Sequence, residues 1–259
     1  MAVSPNNRRP KIFPLLSPWL DVIAIGSWGI LLLKLWLFGQ LSLLIHPNYF
    51  WMTVVAGFIL VAIAALEARR VMQRRRYESA KQDVQHITLL LPGWSSSLLL
   101  ITALLGLVMT PQPFASDTAI HRGVNDGLTA TRFVPQSFKS NKPSEERSLI
   151  EWTRMLNVYP EPDTYAGQKA RVQGFVVYPK DLPEQYFLIS RFVITCCAAD
   201  VYPVSLPVNV GQDRAKYPRD RWLEVEGQMS TEEINGKRIL AIQPSKLSPI
   251  PTPQNPYEY

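Results

Sequence analysis

The long apolar runs of this 259-residue chain all fall before residue 110, and that asymmetry constrains its fold more than any other feature. A hydrocarbon core of about 30 Å needs about 20 helical residues at about 1.5 Å each. The run 19–45 is long enough to cross a bilayer with tilt, 50–66 is long enough to return, and 87–109 supplies a third crossing. Pro92, Gly93 and Ser95 to Ser97 interrupt the third run, but membrane helices tolerate such residues where neighbours or serine hydroxyls satisfy the freed backbone groups. A signal peptide would have a shorter core and a small-residue cleavage site, and no such site is present. The expected class is therefore α + β: an anchor of three transmembrane helices over 1–110, joined to a water-soluble remainder.

Charge placement orients the anchor. Of a net charge of +6, much sits in Arg69, Arg70, Arg74, Arg75, Arg76 and Lys81, between the second and third runs. Arg8, Arg9 and Lys11 precede the first run, and the turn 39–48 has no lysine or arginine. Beside a bilayer such clustering reports topology, so both basic segments belong in the cytoplasm. With three crossings everything after Met109 lies outside; an even number would reverse this. The charge is thus read as facing the lipid bilayer, and nucleic acid is not an expected partner. Lys34 lies within the first run, where a charge costs at least about 2.5–3.5 kcal/mol unless it snorkels or finds a partner, such as a carboxylate on another subunit. Small residues at Ala56, Gly57, Ala62, Ala64 and Ala65 let the second helix approach another closely.

Past residue 110 the pattern changes. Residues 111–142 have no helical or strand period and read as an extracytoplasmic linker. Ser144, followed by Glu145 and Glu146, looks like a helix N-cap, and Leu149, Ile150, Trp152, Met155 and Leu156 recur at helical spacing over 145–157. Strands follow at 168–178, 185–197, 202–210 and 222–228, and Asn235-Gly236 is a hairpin signal leading into a fifth at 237–245. Five short strands within about 80 residues suggest a small barrel, with the OB fold the commonest five-stranded candidate. A sandwich or an SH3-like barrel is the alternative. The helix and barrel domain spans 143–250, and 251–259 is a proline-rich tail.

Reactive chemistry concentrates at Cys196-Cys197-Ala198-Ala199-Asp200, which holds the two cysteines of the chain. Two cysteines are too few for a disulfide framework, and adjacent Cα atoms about 3.8 Å apart lie below the usual disulfide range of about 4.4–6.8 Å. If the strand stays regular, Cys196 joins the core face and Cys197 is the exposed thiol. Three readings stay open. The sulfurs pack as free cysteines do; or Cys196, Cys197 and Asp200, with an outside histidine such as His46 or His121, hold zinc or copper; or the pair does thiol redox chemistry in an oxidising exterior. No P-loop, HExxH pair, GxSxG elbow or dinucleotide fingerprint is present, so hydrolase, kinase and dehydrogenase readings lack support.

Several motifs together resemble one family. His46-Pro47 closes the first membrane turn, Tyr165-Ala-Gly-Gln-Lys169 leads into Val172-Gln-Gly174-Phe-Val176, and the segment from Arg191 to Asp200 carries the cysteines. Trp222-Leu-Glu-Val-Glu-Gly227 and the closing Pro256-Tyr257-Glu258-Tyr259 complete the set. The likeness is to the YcgQ-like bacterial membrane proteins. It implies a multi-pass protein of the bacterial plasma membrane that serves as a subunit beside a multi-span, YcgR-type predicted permease. It carries over no ligand or catalytic role to Cys196, Cys197 and Asp200.

The resulting expectation is a membrane-anchored accessory subunit, not an enzyme. Its contacts with the bilayer or a partner would involve Lys34 and the basic group Arg69, Arg70, Arg74, Arg75 and Arg76. A membrane-tethered thiol redox protein is the alternative.

Overall fold

A computed structural model describes residues 13–74, 94–123, 140–211 and 214–259. The chain divides into two compact units, and the segment Ser42–His46, between the first two long helices in sequence, belongs with the second unit.

In the first unit, α1 (Phe13–Leu37) packs against α2 (Phe50–Arg74) and α3 (Trp94–Val108). The α1 and α2 backbones approach closely because glycines face each other. A Cβ at Gly29 would come within 2.8 Å of Val61 Cγ2 and 3.0 Å of the Gly57 carbonyl oxygen. Of the small residues of α2, Gly57 and Ala64 face α1, with Gly26 meeting Ala64 along the same seam, whereas Ala62 and Ala65 are exposed. Large apolar side chains such as Trp51, Phe58, Ile59, Ile63, Leu98 and Ile101 stay exposed, which suits a helix surface facing hydrocarbon.

Of the three expected crossings, the described residues carry two at full length. Among the described residues, two helices are long and apolar enough to cross a membrane, Pro18–Leu37 and Pro47–Gln73, whereas the third apolar helix has 15 described residues. At about 1.5 Å per residue this described part reaches about 22 Å, against a core of about 30 Å. The remainder of the run 87–109, before Trp94, lies outside the described residues, as do His86, Arg75 and Arg76.

The first run also ends sooner than its apolar residues suggest. The α1 helix stops at Leu37, Gly39 takes φ +68 as a helix-ending glycine does, and the 3-10 turn Gln40–Leu43 follows. Near that end the Lys34 ammonium donates to the Leu107 carbonyl oxygen at 2.6 Å, in the last turn of α3. Helix C-termini leave carbonyls without intrahelical donors, so this charge is satisfied inside the chain by a group that needs a donor.

The second unit holds β1 (Lys169–Val177), β2 (Tyr186–Val193), β3 (Tyr202–Asn209), β4 (Trp222–Ile234), β5 (Lys237–Pro249) and β6 (Tyr257–Glu258). The sheet order is β1-β4-β5-β3-β2-β6, and a further β1–β2 pairing gives each of the first five strands at least two partners, with three for β2. Strand β1 changes partner midway. It pairs with β4 from Lys169 to Phe175 and with β2 from Phe175 to Val177. Gly174 sits at that switch, where a Cβ would run into the Ser190 carbonyl of β2. Asn235 and Gly236, with φ 51 and φ 74, make the two-residue turn expected between β4 and β5. That tight turn carries pairing right up to Ile234 and Lys237, so β4 runs well past Gln228.

Two expectations outside the strands also change. The stretch 111–142 is not bare linker: α4 (Ser116–His121) lies in it with Ala119 fully buried, and the Ser116 amide donates to the Asp220 carboxylate at 2.6 Å. The proline-rich tail ends as β6, parallel to β2, with Tyr257 buried. The amphipathic helix is present as α5 (Leu149–Val158), but its N-cap is Ser148 with Glu151 in a capping box, while Ser144 starts a separate 3-10 turn. Its apolar face, Leu149, Trp152 and Leu156, closes over the core formed by Val172, Ile189 and Val204. A second core lies around Phe175, Phe192 and Trp222 and takes in Ala119 and Tyr257.

Candidate metal centre

Strand β2 stops at Val193 because the chain turns there to meet new partners. The Ile194 amide still donates to the Glu258 carbonyl oxygen of β6 at 3.1 Å. Then Cys197 forms an isolated antiparallel bridge with Ile45: the His46 amide donates to the Cys196 carbonyl at 3.0 Å and the Ala198 amide to the Leu44 carbonyl at 2.8 Å.

Within the turn, Asp200 gathers the backbone. Its carboxylate accepts the amides of Thr195 at 3.4 Å, Cys196 at 2.8 Å and Cys197 at 3.3 Å, and the Thr195 hydroxyl as well. A short polar side chain that takes up nearby amides is what lets a strand end reverse without stranding its donors. From outside the turn, Arg122, next after α4, donates to the carbonyl oxygens of Ala199 at 3.3 Å and Val201 at 2.7 Å.

The two sulfurs face the same way, 3.6 Å apart. One ligand atom each from Cys196, Cys197 and Asp200 lies within 4.8 Å of the others. The expected assignment of the thiols to faces is reversed. Cys196 is exposed and Cys197 half-buried, because the strand ends before the alternation could carry Cys196 into the core.

Electrostatics follow from the carboxylate. Its hydrogen bond with Asp200, then the one with Cys197, push the Cys196 thiol up to about 11. Burial raises the Asp200 carboxyl, but hydrogen bonds from Thr195, Cys196 and Cys197 outweigh it and bring it down to about 2. Asp200 is therefore ionised across the physiological range, and Cys196 becomes a thiolate when something positive replaces its proton.

Among the sequence candidates, Cys196, Cys197 and Asp200 come together. His46 joins them through its backbone, while its ring packs edge-on against Tyr259 at 4.7 Å. His121 ends α4 and is not in the cluster. Arg69 and Arg70 lie near the end of α2, where Arg70 pairs with Glu67 at 2.5 Å, and Arg74 is its last residue. Sequence reasoning missed Thr195, Arg122 and the stretch 42–45 that precedes His46. An Asp placed five residues after a Thr at a strand end was a readable turn signal; the other two arrive by long-range packing.

Residues 20–125 match the DUF1980 N-terminal domain and residues 147–259 the DUF1980 C-terminal domain. No curated protein and no solved structure matches the chain.

Proposed function

Since the chain carries both DUF1980 domains and so belongs to that family, we propose that it is a membrane-anchored accessory subunit of a permease complex whose soluble domain offers a metal site outside the cytoplasm. The observation that carries the reading is the grouping of two thiols and a carboxylate within 4.8 Å on one braced turn. Zinc and copper are the cations such soft ligands suit. The soluble domain reads as an OB-like barrel, supported by the pairing of every strand from β1 to β5 with at least two others.

The outward placement draws support from more than a count of crossings. The segment Ser42–His46 lies in the turn free of lysine and arginine, and it belongs to the same compact unit as the sheet. If the basic ends of the first two helices are cytoplasmic, that turn and the unit it belongs to are outside. The chain must then recross after Arg74, and 87–109 carries no charged residue. The YcgR-type permease partner rests on the resemblance to YcgQ-like proteins; Lys34 argues for it less, because one of its three donors reaches the Leu107 carbonyl oxygen within the chain.

Thiol redox chemistry draws less support. Attacking thiols have a depressed pKa, and Cys196 is pushed the other way. The test is affinity purification of the full chain from native membranes in mild detergent, followed by metal analysis and identification of co-purifying proteins. One metal per chain that disappears in Cys196→Ser and Cys197→Ser, together with a multi-span protein, is the expected result. A metal-free monomer in wild type would sink the proposal.

A further inference from the structure

Resting on the metal reading above, we infer that the chain itself contributes a two-thiolate chelate, Cys196 and Cys197, for an exchangeable tetrahedral cation of the zinc type, and that Asp200 is a positioning residue rather than a ligand.

The first argument is the occupation of the Asp200 carboxylate. An ionised carboxylate has about four acceptor sites on its two oxygens. Here Oδ1 accepts the Thr195 and Cys197 amides, and Oδ2 accepts the Cys196 amide and the Thr195 hydroxyl; the Cys196 thiol bonds the same carboxylate, and its deprotonation leaves these four donors in place. Bonding a cation through either oxygen would displace donors that hold the two cysteines in register. The second argument is the sulfur separation. Two sulfurs on a tetrahedral zinc with bonds of about 2.3 Å lie about 3.8 Å apart, and about 4.6 Å apart on a linear two-coordinate ion with bonds of the same length. The observed 3.6 Å fits the bent chelate and not the linear one.

The third argument concerns exchange. Structural zinc sites are closed by four protein ligands. Among the described residues, the one cluster of three metal-capable groups is this turn, and Cys196 in it is exposed. With Asp200 committed to the backbone, two corners of the tetrahedron come from outside the turn, from water or from a molecule that receives the ion. One exposed and one half-buried thiolate hold a cation and also let it go, which suits handing cargo to a membrane partner rather than keeping a structural ion.

The experiment uses the full chain in detergent with Co²⁺ as the probe. Sulfur-to-cobalt charge-transfer absorbance reports the number of thiolates, X-ray absorption the light-atom ligands, and chelator competition the affinity. In wild type two thiolates are expected. Asp200→Asn should keep the two-thiolate spectrum while affinity, corrected for the protons released on binding, falls about tenfold to a hundredfold, the usual cost of losing a group that orients ligands. Thr195→Val, which removes one donor to Asp200 and threatens the fold less, should weaken binding in the same direction with the spectrum unchanged. Tighter binding in Thr195→Val, or an oxygen ligand present in wild type and lost in Asp200→Asn, overturns the inference and leaves the metal reading standing. A wild-type chain that takes up no Co²⁺ defeats the metal reading itself, and this inference with it.

Discussion

The His46 amide donates to the Cys196 carbonyl oxygen at 3.0 Å, so the turn that follows the first apolar helix is hydrogen-bonded to the turn that carries the thiols. The Ala198 amide returns the bond to Leu44 at 2.8 Å, and the Tyr257 hydroxyl donates to the Leu43 carbonyl at 3.3 Å. A short stretch between the two long apolar helices is thus bridged to the turn that carries the thiols.

This bridge should be visible in hydrogen exchange. The His46 and Ala198 amides are expected to exchange slowly and together, as one cooperative unit. Ala198→Pro removes one donor and should speed exchange at His46 while costing about 1–3 kcal/mol. Fast exchange at His46 in the wild-type chain would show that the bridge does not persist.

Asp200 sets the reactivity of the metal-free thiol. Since it pushes Cys196 up to about 11, that residue should alkylate slowly at pH 8 and accelerate as pH rises. Asp200→Asn removes the negative charge and should raise the iodoacetamide rate at Cys196 severalfold, read by peptide mass spectrometry. An unchanged rate would detach the carboxylate from the thiol.

The same chemistry gives metal affinity a pH sign. Both thiols must lose protons to bind, and Cys196 holds its proton well above neutrality. Affinity should rise steadily with pH across about 6 to 9, with proton release on loading. Affinity that is flat over that window would mean that Cys196 is not a ligand.

Glu258 is 7 % exposed, with its carboxylate on the Ile150 amide at 2.7 Å, at the start of α5, and 3.7 Å from Arg191. Burial raises its pKa, and Arg191 and the α5 amides only partly offset that. The folded state therefore holds the proton longer than the unfolded one. This contribution to stability is present below the unfolded value of 4.5 and is lost as pH rises through the folded value. Glu258→Gln should flatten that part of the stability curve, and Glu258→Ala should cost about 1–3 kcal/mol by stranding the amide. A denaturation series against pH checks both.

At the helix seam, Gly29→Leu places a side chain against the Gly57 carbonyl and the Val61 amide, atoms that cannot swing away. A loss of about 1–3 kcal/mol is expected, measured as thermal stability in detergent. Gly39→Ala fails differently, through its φ of +68 rather than through contact, since nothing lies within 4 Å.

How much of this was legible depends on the range of the forces. Periodicity and turn chemistry act within a few residues. The apolar runs, the α5 face, the Asn235-Gly236 turn and the clustering of Cys196, Cys197 and Asp200 could therefore all be read along the chain. The Ser148 cap was equally local, but Ser144 with its two acids was the more obvious signal and drew the assignment.

What the sequence determined by itself was a two-part chain, with apolar helices first and short alternating strands after, because hydrophobic pattern and backbone propensity leave little choice. Only the tertiary structure decided that Ser42–His46 leaves the membrane run, that Glu258 inserts β6 beside β2, and which thiol faces out. Those outcomes are set by hydrogen-bond partners up to 214 residues apart, and no local pattern encodes a partner that far away.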